Sequence, residues 1–186
     1  FRDLMDNNKI IMVDLPKGSI GETNAYLLGM IIVGKILMSA LSRTDIPQEQ
    51  RKDFYLYIDE FQNFTTNSIC QILSEARKYA LNLNIAHQYI GQLSKNQDTQ
   101  IKDAVFGNVG TMISFRVGSE DAEFLVKEFA PVFNEYDLVN VGRGGFAKLL
   151  VDGQAVRPFS IQTVWPLMGK YREGMAQNIR QLSRYK

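Results

Sequence analysis

The sequence has 186 residues, 45% apolar and 22% charged, which fits one ordinary globular domain and excludes a disordered chain. Lys and Arg number 21 against 20 for Asp and Glu, which excludes a histone-like polybasic protein but not a local basic patch. One cysteine, Cys70, and one histidine, His87, exclude an internal disulfide and argue against a zinc site.

In chain order, the first signal is Lys9–Leu15, a short apolar run stopped by Pro16 and Gly18, which predicts a buried strand. Phe1 stands only a few residues before it, so the sequence reads as a piece cut from a longer protein. Gly21–Arg43 is apolar nearly all round and predicts a buried helix starting near Glu22. Its most apolar part, Tyr26–Leu41, carries Lys35 and is shorter than the ~20 residues of a membrane helix. Thr44–Asp53 is a polar loop. Phe54–Asp59 is a β-rich strand ending in two acids. Thr65 or Thr66 can cap a helix running to about Ala80, and Leu81–Gln88 is the next strand. Asp98–Phe106 predicts a helix and Val109–Val117 a strand. Ser119 is read as the cap of a helix with Glu120 and Asp121 in its first turn, where the helix dipole favours acids. Finally, Asp152-Gly153 between two β-rich runs predicts a hairpin.

Strands separated by long helices need crossover connections, so the fold class expected is α/β: a mostly parallel sheet flanked by helices, with a C-terminal antiparallel hairpin. Ligands of such sheets sit at the carboxyl ends of the strands, which singles out Asp59, Glu60 and Gln88. An apolar strand ending in Asp-Glu has the form of a Walker B motif. There the first acid holds Mg²⁺ through water, and the second orients and deprotonates the attacking water. The pattern is equally that of two acids opening a solvated turn. Gln88 could touch both a γ-phosphate and the water, or simply bond a loop backbone. His87 should point to the face opposite Gln88 and is read as structural. Arg77 near a helix C-terminus complements the helix dipole, and the residues alone favour that over an arginine finger reaching a neighbouring subunit.

Gly29–Lys35 matches G-x-x-x-x-G-K, yet it lies inside a helical pattern with four apolar residues between the glycines, and Ile36 offers no hydroxyl to a metal. It is read as a helix-packing pair of glycines. The chain thus shows a hydrolytic half-site without a phosphate-binding loop.

KIIMVDLPKGSIGETNAYLLG, FYLYIDEFQNF, ILSEARKYALNLNIAHQYIGQL and GNVGTMISFRVGSEDAEFLVKEF, in that order, resemble the C-terminal part of the FtsK/HerA superfamily of RecA-like motor ATPases. The likeness is greatest to type IV secretion and conjugative DNA-transfer ATPases, including the TraG/TraD-like coupling branch, and covers roughly residues 5 to 163. It implies a RecA-like P-loop NTPase core fragment over residues 1–169, lacking the Walker A half, and a basic tail or helix over 170–186. It further implies a hexameric, ATP- and Mg²⁺-dependent translocase of DNA or protein. In it Asp59 matches the Walker B metal acid, Glu60 the catalytic acid, Gln88 the sensor glutamine and Arg77 the arginine finger. Arg116 matches a recurrent arginine taken as a second phosphate or interface contact.

The partners implied are DNA, identical subunits in a homohexamer and the secretion or conjugation machinery, with no membrane contact by this chain. The location implied is cytoplasmic, at the inner membrane's cytoplasmic face through segments outside it. Taken alone the chain is expected to be monomeric and inactive. The competing reading is a non-catalytic nucleic-acid or partner-docking module. For DNA contact, the sequence offers Lys95 and Lys102 after Gln88, offset by Asp98 and Asp103, and a tail, Lys170–Lys186, that is rich in Arg and Lys but for which a solvated terminal helix is the commoner explanation.

Overall fold

In the computed structural model, residues 1–65, 69, 73–94, 98–164 and 174–184 are described. Cys70, Thr66, Lys95 and both ends of the tail, residues 170–173 and 185–186, lie outside them. The chain begins with helices α1 (Arg2–Asp6), α2 (Lys17–Ile20) and α3 (Glu22–Leu41). Strands β1 (Phe54–Ile58) and β2 (Leu81–Ile85) form a parallel pair in which Phe54 faces Leu81 and Ile58 faces Ile85. Beyond them come α4 (Gln100–Asn108), β3 (Met112–Ser114), α5 (Ser119–Phe129) and α6 (Glu135–Asn140). The chain then forms β4 (Gly145–Lys148), the two-residue strands β5 (Leu150–Val151) and β6 (Gln154–Ala155), β7 (Phe159–Ile161) and α7 (Met175–Arg184).

The β1–β2 pair is built by period-two patterning. Phe54, Leu56 and Ile58, with Leu81, Leu83 and Ile85, turn to a core shared with Met5, Ile36, Ala40 and Phe61. Tyr55, Tyr57 and Asn84 are exposed. Helix α3 covers the inward side. Its buried residues Ala25, Gly29, Ile36 and Ala40 make one stripe, while Leu27, Leu28, Ile31 and Met38 are exposed, so the expectation of a helix buried all round is corrected. With the 3-10 turn that follows, the helical run Glu22–Asp45 reaches membrane-spanning length and hydropathy, which the shorter apolar window did not show. In this fold its buried stripe packs on the β-sheet core.

Gly29 sits inside α3, and a Cβ there would lie 2.1 Å from the Phe64 ring, so it is a close-packing residue and not part of a phosphate loop. Gly34 meets nothing within 4 Å, so only one of the two glycines makes the predicted contact.

A second core joins α5, α6 and β4 through Ile90, Ala122, Leu125, Phe129, Leu138 and Phe146. Phe106 and Phe124 meet edge-to-face at 4.7 Å beside it.

Four further expectations are corrected. Lys9–Leu15 is not a strand: no neighbour among the described residues supplies a ladder, and Ile10 and Met12 are 92% and 89% exposed. An apolar run becomes a strand only when a partner satisfies its backbone, and among the described residues β1 pairs with β2 alone. Among the described residues the strands are not mostly parallel. β1–β2 is the one parallel pair described; β3, β4 and β7 form an antiparallel sheet, and β5–β6 an antiparallel hairpin. The predicted strand Val109–Val117 shrinks to three residues and joins β4, so it cannot extend the β1–β2 sheet. Last, Gly118 and not Ser119 is the cap of α5. The Asp152-Gly153 turn is as read, with φ values of 50° and 77°.

The entry ends of β1 and β2 are fixed by a fully buried cation. Arg43 Nη1 donates to the carbonyls of Lys52 (3.0 Å) and Tyr79 (3.1 Å), just before the two strands, and its Nε lies 3.0 Å from Asp6 Oδ1 on α1. Arg43→Met is expected to lower unfolding free energy by ~2–4 kcal/mol, because two carbonyls lose their donor and Asp6 loses its buried cation. Gly29→Ala should cost ~1–3 kcal/mol by overpacking against Phe64, whereas Gly34→Ala should be neutral or stabilising. Urea unfolding monitored by circular dichroism checks all three.

Candidate functional site

The parallel register brings the exit ends of β1 and β2 level, so the turns that follow emerge side by side. The ladder continues past the strands: Ala86 N–H donates to the Ile58 carbonyl and Phe61 N–H to the Ala86 carbonyl, both at 2.9 Å. Phe61 is fully buried and anchors the turn. Glu60 takes a left-handed conformation, φ 51° and ψ 44°, which re-aims the chain straight after the strand. Its N–H donates to Asp59 Oδ1 at 2.9 Å.

Two amides hold the Glu60 carboxylate. Gln88 Nε2 donates to Oε1 at 2.6 Å, across 28 residues of sequence, and Gln62 Nε2 donates to Oε2 at 2.7 Å. Such charge-assisted bonds are roughly twice as strong as neutral ones. Asp59 is exposed beside them. A groove of about 460 Å³ adjoins the acids, bounded by Lys17, Val33, Tyr57 and Phe64. The loop after Gln88 is tied to the second core, since Ile90 N–H donates to Asp121 Oδ2 (3.2 Å) in the first turn of α5.

The structure therefore gathers Asp59, Glu60 and Gln88 as the sequence expected. It does not gather the two arginines. Arg77 is exposed on the 3-10 turn Ala76–Tyr79 that leads into β2, at the opposite end of that strand from Gln88, roughly 16 Å of strand away. Arg116 is exposed on the loop between β3 and α5. Gln62 is the residue the sequence reading passed over. Its signal was there: a side-chain donor two positions beyond the acid in IDEFQNF, on a turn tight enough to bring it back.

The fit to the implied cofactors divides. Among the described residues no three His, Cys, Asp or Glu side chains cluster as a metal cage. Asp59 suits a Mg²⁺ ion that keeps its waters and is shared with phosphates, which is how this ion usually binds. A phosphate cradle does not fit: the one loop-like motif is helical in α3.

Residues 53–140 match the family model described as the TraM recognition site of TraD and TraG. Among solved structures, VirB4 of Thermoanaerobacter pseudethanolicus superposes with a TM-score of 0.57 at 16% identity, over 81% of this chain and 40% of that one. The chain thus spans less than half the length of that protein. A comparison with curated proteins finds no match. The family match and the shared fold bear out the resemblance: the chain is similar to the C-terminal part of the conjugation and type IV secretion coupling ATPases.

His87, beside the site, is half-buried, and its Nδ1 finds no hydrogen-bond partner among the described residues. Burial pushes its pKa down, only partly opposed by the Tyr89 backbone and the Asp121 carboxylate. The unfolded chain then takes up a proton at higher pH than the folded one. Stability is therefore full above the ordinary histidine value of about 6.5 and falls as pH drops below it. His87→Gln should flatten that part of the profile, as read from urea midpoints between pH 7.5 and 5.5.

Proposed function

We propose that this chain is the hydrolytic half of an ATP-driven translocase of the conjugation or type IV secretion type. The observation that carries the reading is the 2.6 Å bond between Gln88 and Glu60, which joins two separately recognised motifs at the exit ends of parallel strands. In this reading Glu60 accepts the proton of the attacking water and Gln88 reports the nucleotide to it. Asp59 would hold a hydrated Mg²⁺, which would supply positive charge against the phosphate.

Arg77, remote from its own Glu60, is assigned to a neighbouring subunit's nucleotide in a homohexamer, and Arg116 to a phosphate or subunit contact. ATP binding needs a phosphate-binding loop contributed from outside these residues, DNA is the substrate, and the working location is the cytoplasmic face of the inner membrane.

A second reading is favoured by the family description, which names recognition of TraM by TraD and TraG. Residues 53–140 would then dock a TraM-like partner of the transfer machinery, and the acids would have no catalytic part. The two readings separate in one assay. In the full-length protein Glu60→Gln and Arg77→Ala should each lower ATP turnover by at least ~10³-fold, and this 186-residue chain alone should show none. Near-parental turnover in both variants, with partner binding retained, would establish the docking reading instead.

A further inference from the structure

The clamp on Glu60 has two arms of unequal freedom. Gln88 is exposed on a bend beyond β2. Gln62 is half-buried on the 3-10 turn Phe61–Phe64 that follows Glu60 directly, next to fully buried Phe61, and Thr65 Oγ1 donates to its carbonyl at 3.1 Å. Each arm takes a different oxygen of the same carboxylate.

We infer that Gln62 is a positioning residue that keeps the Glu60 carboxylate aligned while Gln88 exchanges between that carboxylate and a nucleotide phosphate. The inference rests on the ATPase reading and deepens it.

Three features make Gln62 the fixed arm. Its Nε2 has an ionised acceptor at 2.7 Å, and turning the amide over would set Oε1 against that carboxylate. Its Oε1 is buried, so the amide is enclosed by packing on that side, although that oxygen has no hydrogen-bond partner among the described residues. Glu60 itself sits in the left-handed region, which costs a non-glycine residue roughly 1–2 kcal/mol, so the turn needs side-chain ties to hold its geometry. Gln88 can touch a phosphate only by giving up its donation to Oε1 or splitting its two amide protons between them. At that moment Gln62 is the side-chain donor left on the general base. A base loosened by about an ångström loses on the order of 100-fold in rate.

The test uses Gln62→Met, which keeps length but removes the donor, and Gln62→Glu, which sets a like charge against Glu60. In the full-length protein kcat should fall roughly 10- to 100-fold for Met and further for Glu, with KM for ATP within about twofold of the parent. In the 186-residue chain the Gln62 side-chain amide signal in ¹H–¹⁵N spectra should move on Glu60→Ala. A kcat within twofold of the parent for Gln62→Met, alongside loss of turnover in Glu60→Gln, overturns the positioning role and leaves the ATPase reading standing. An amide signal that ignores Glu60→Ala overturns the clamp itself. Turnover that does not depend on Glu60 overturns the ATPase reading and this role with it.

Discussion

The buried guanidinium of Arg43 is the constraint on which the site depends. A fully buried cation is expensive unless it is paired, and Arg43 is paired through Nε and Nη1 while its Nη2 has no hydrogen-bond partner among the described residues. Here it lies against the α1 carboxylate of Asp6 and donates to the carbonyls that precede β1 and β2. Two chain segments 27 residues apart, Lys52 and Tyr79, are thereby pinned to one point, and five residues of parallel pairing carry that alignment to the far ends of the strands. The level exit of Asp59–Glu60 and Ala86–Gln88 follows from this shared origin. A slip of one residue would turn Phe54, Leu56 and Ile58 outward, so the hydrophobic face and the buried cation enforce the same register.

At the exit end the hydrogen bonds change from backbone to side chain. The ladder continues through Ile58, Ala86 and Phe61, and then the Glu60 carboxylate takes over as the acceptor for two amides. Phe61 is sunk in the core while its neighbour Glu60 lines the groove and Gln62 is half-buried beside it, so packing energy holds the turn that presents the carboxylate. The bond from Ile90 to Asp121 joins the Gln88 loop to the second core. The polar cluster is therefore anchored from both hydrophobic cores.

The sequence made part of this visible because some patterns are local. The β-rich composition of FYLYI, the long apolar run that starts α3 near Glu22, and Asp152-Gly153 each act within a few residues, and each element formed where it was read. The acid pair was legible because a β-rich run that ends in two acids presents them at the end of its strand. Lys9–Leu15 misled because an apolar run states a wish for burial, while the strand itself needs a partner's N–H and C=O groups. Val109–Val117 misled similarly: its propensity was right, but pairing with β4 fixed both its length and its direction.

The chain by itself determined the chemistry on offer, namely the acids, the glutamines and the arginines, and the helical or extended habit of the segments that carry them. Residue type and local periodicity suffice for that. Only the tertiary structure decided which of them meet. It set Gln88 and Gln62 on opposite oxygens of Glu60, placed Arg77 at the far end of β2, and turned Gly29 into a packing contact with Phe64. Such distances depend on strand register and on a buried cation between remote segments, and no short-range pattern encodes either.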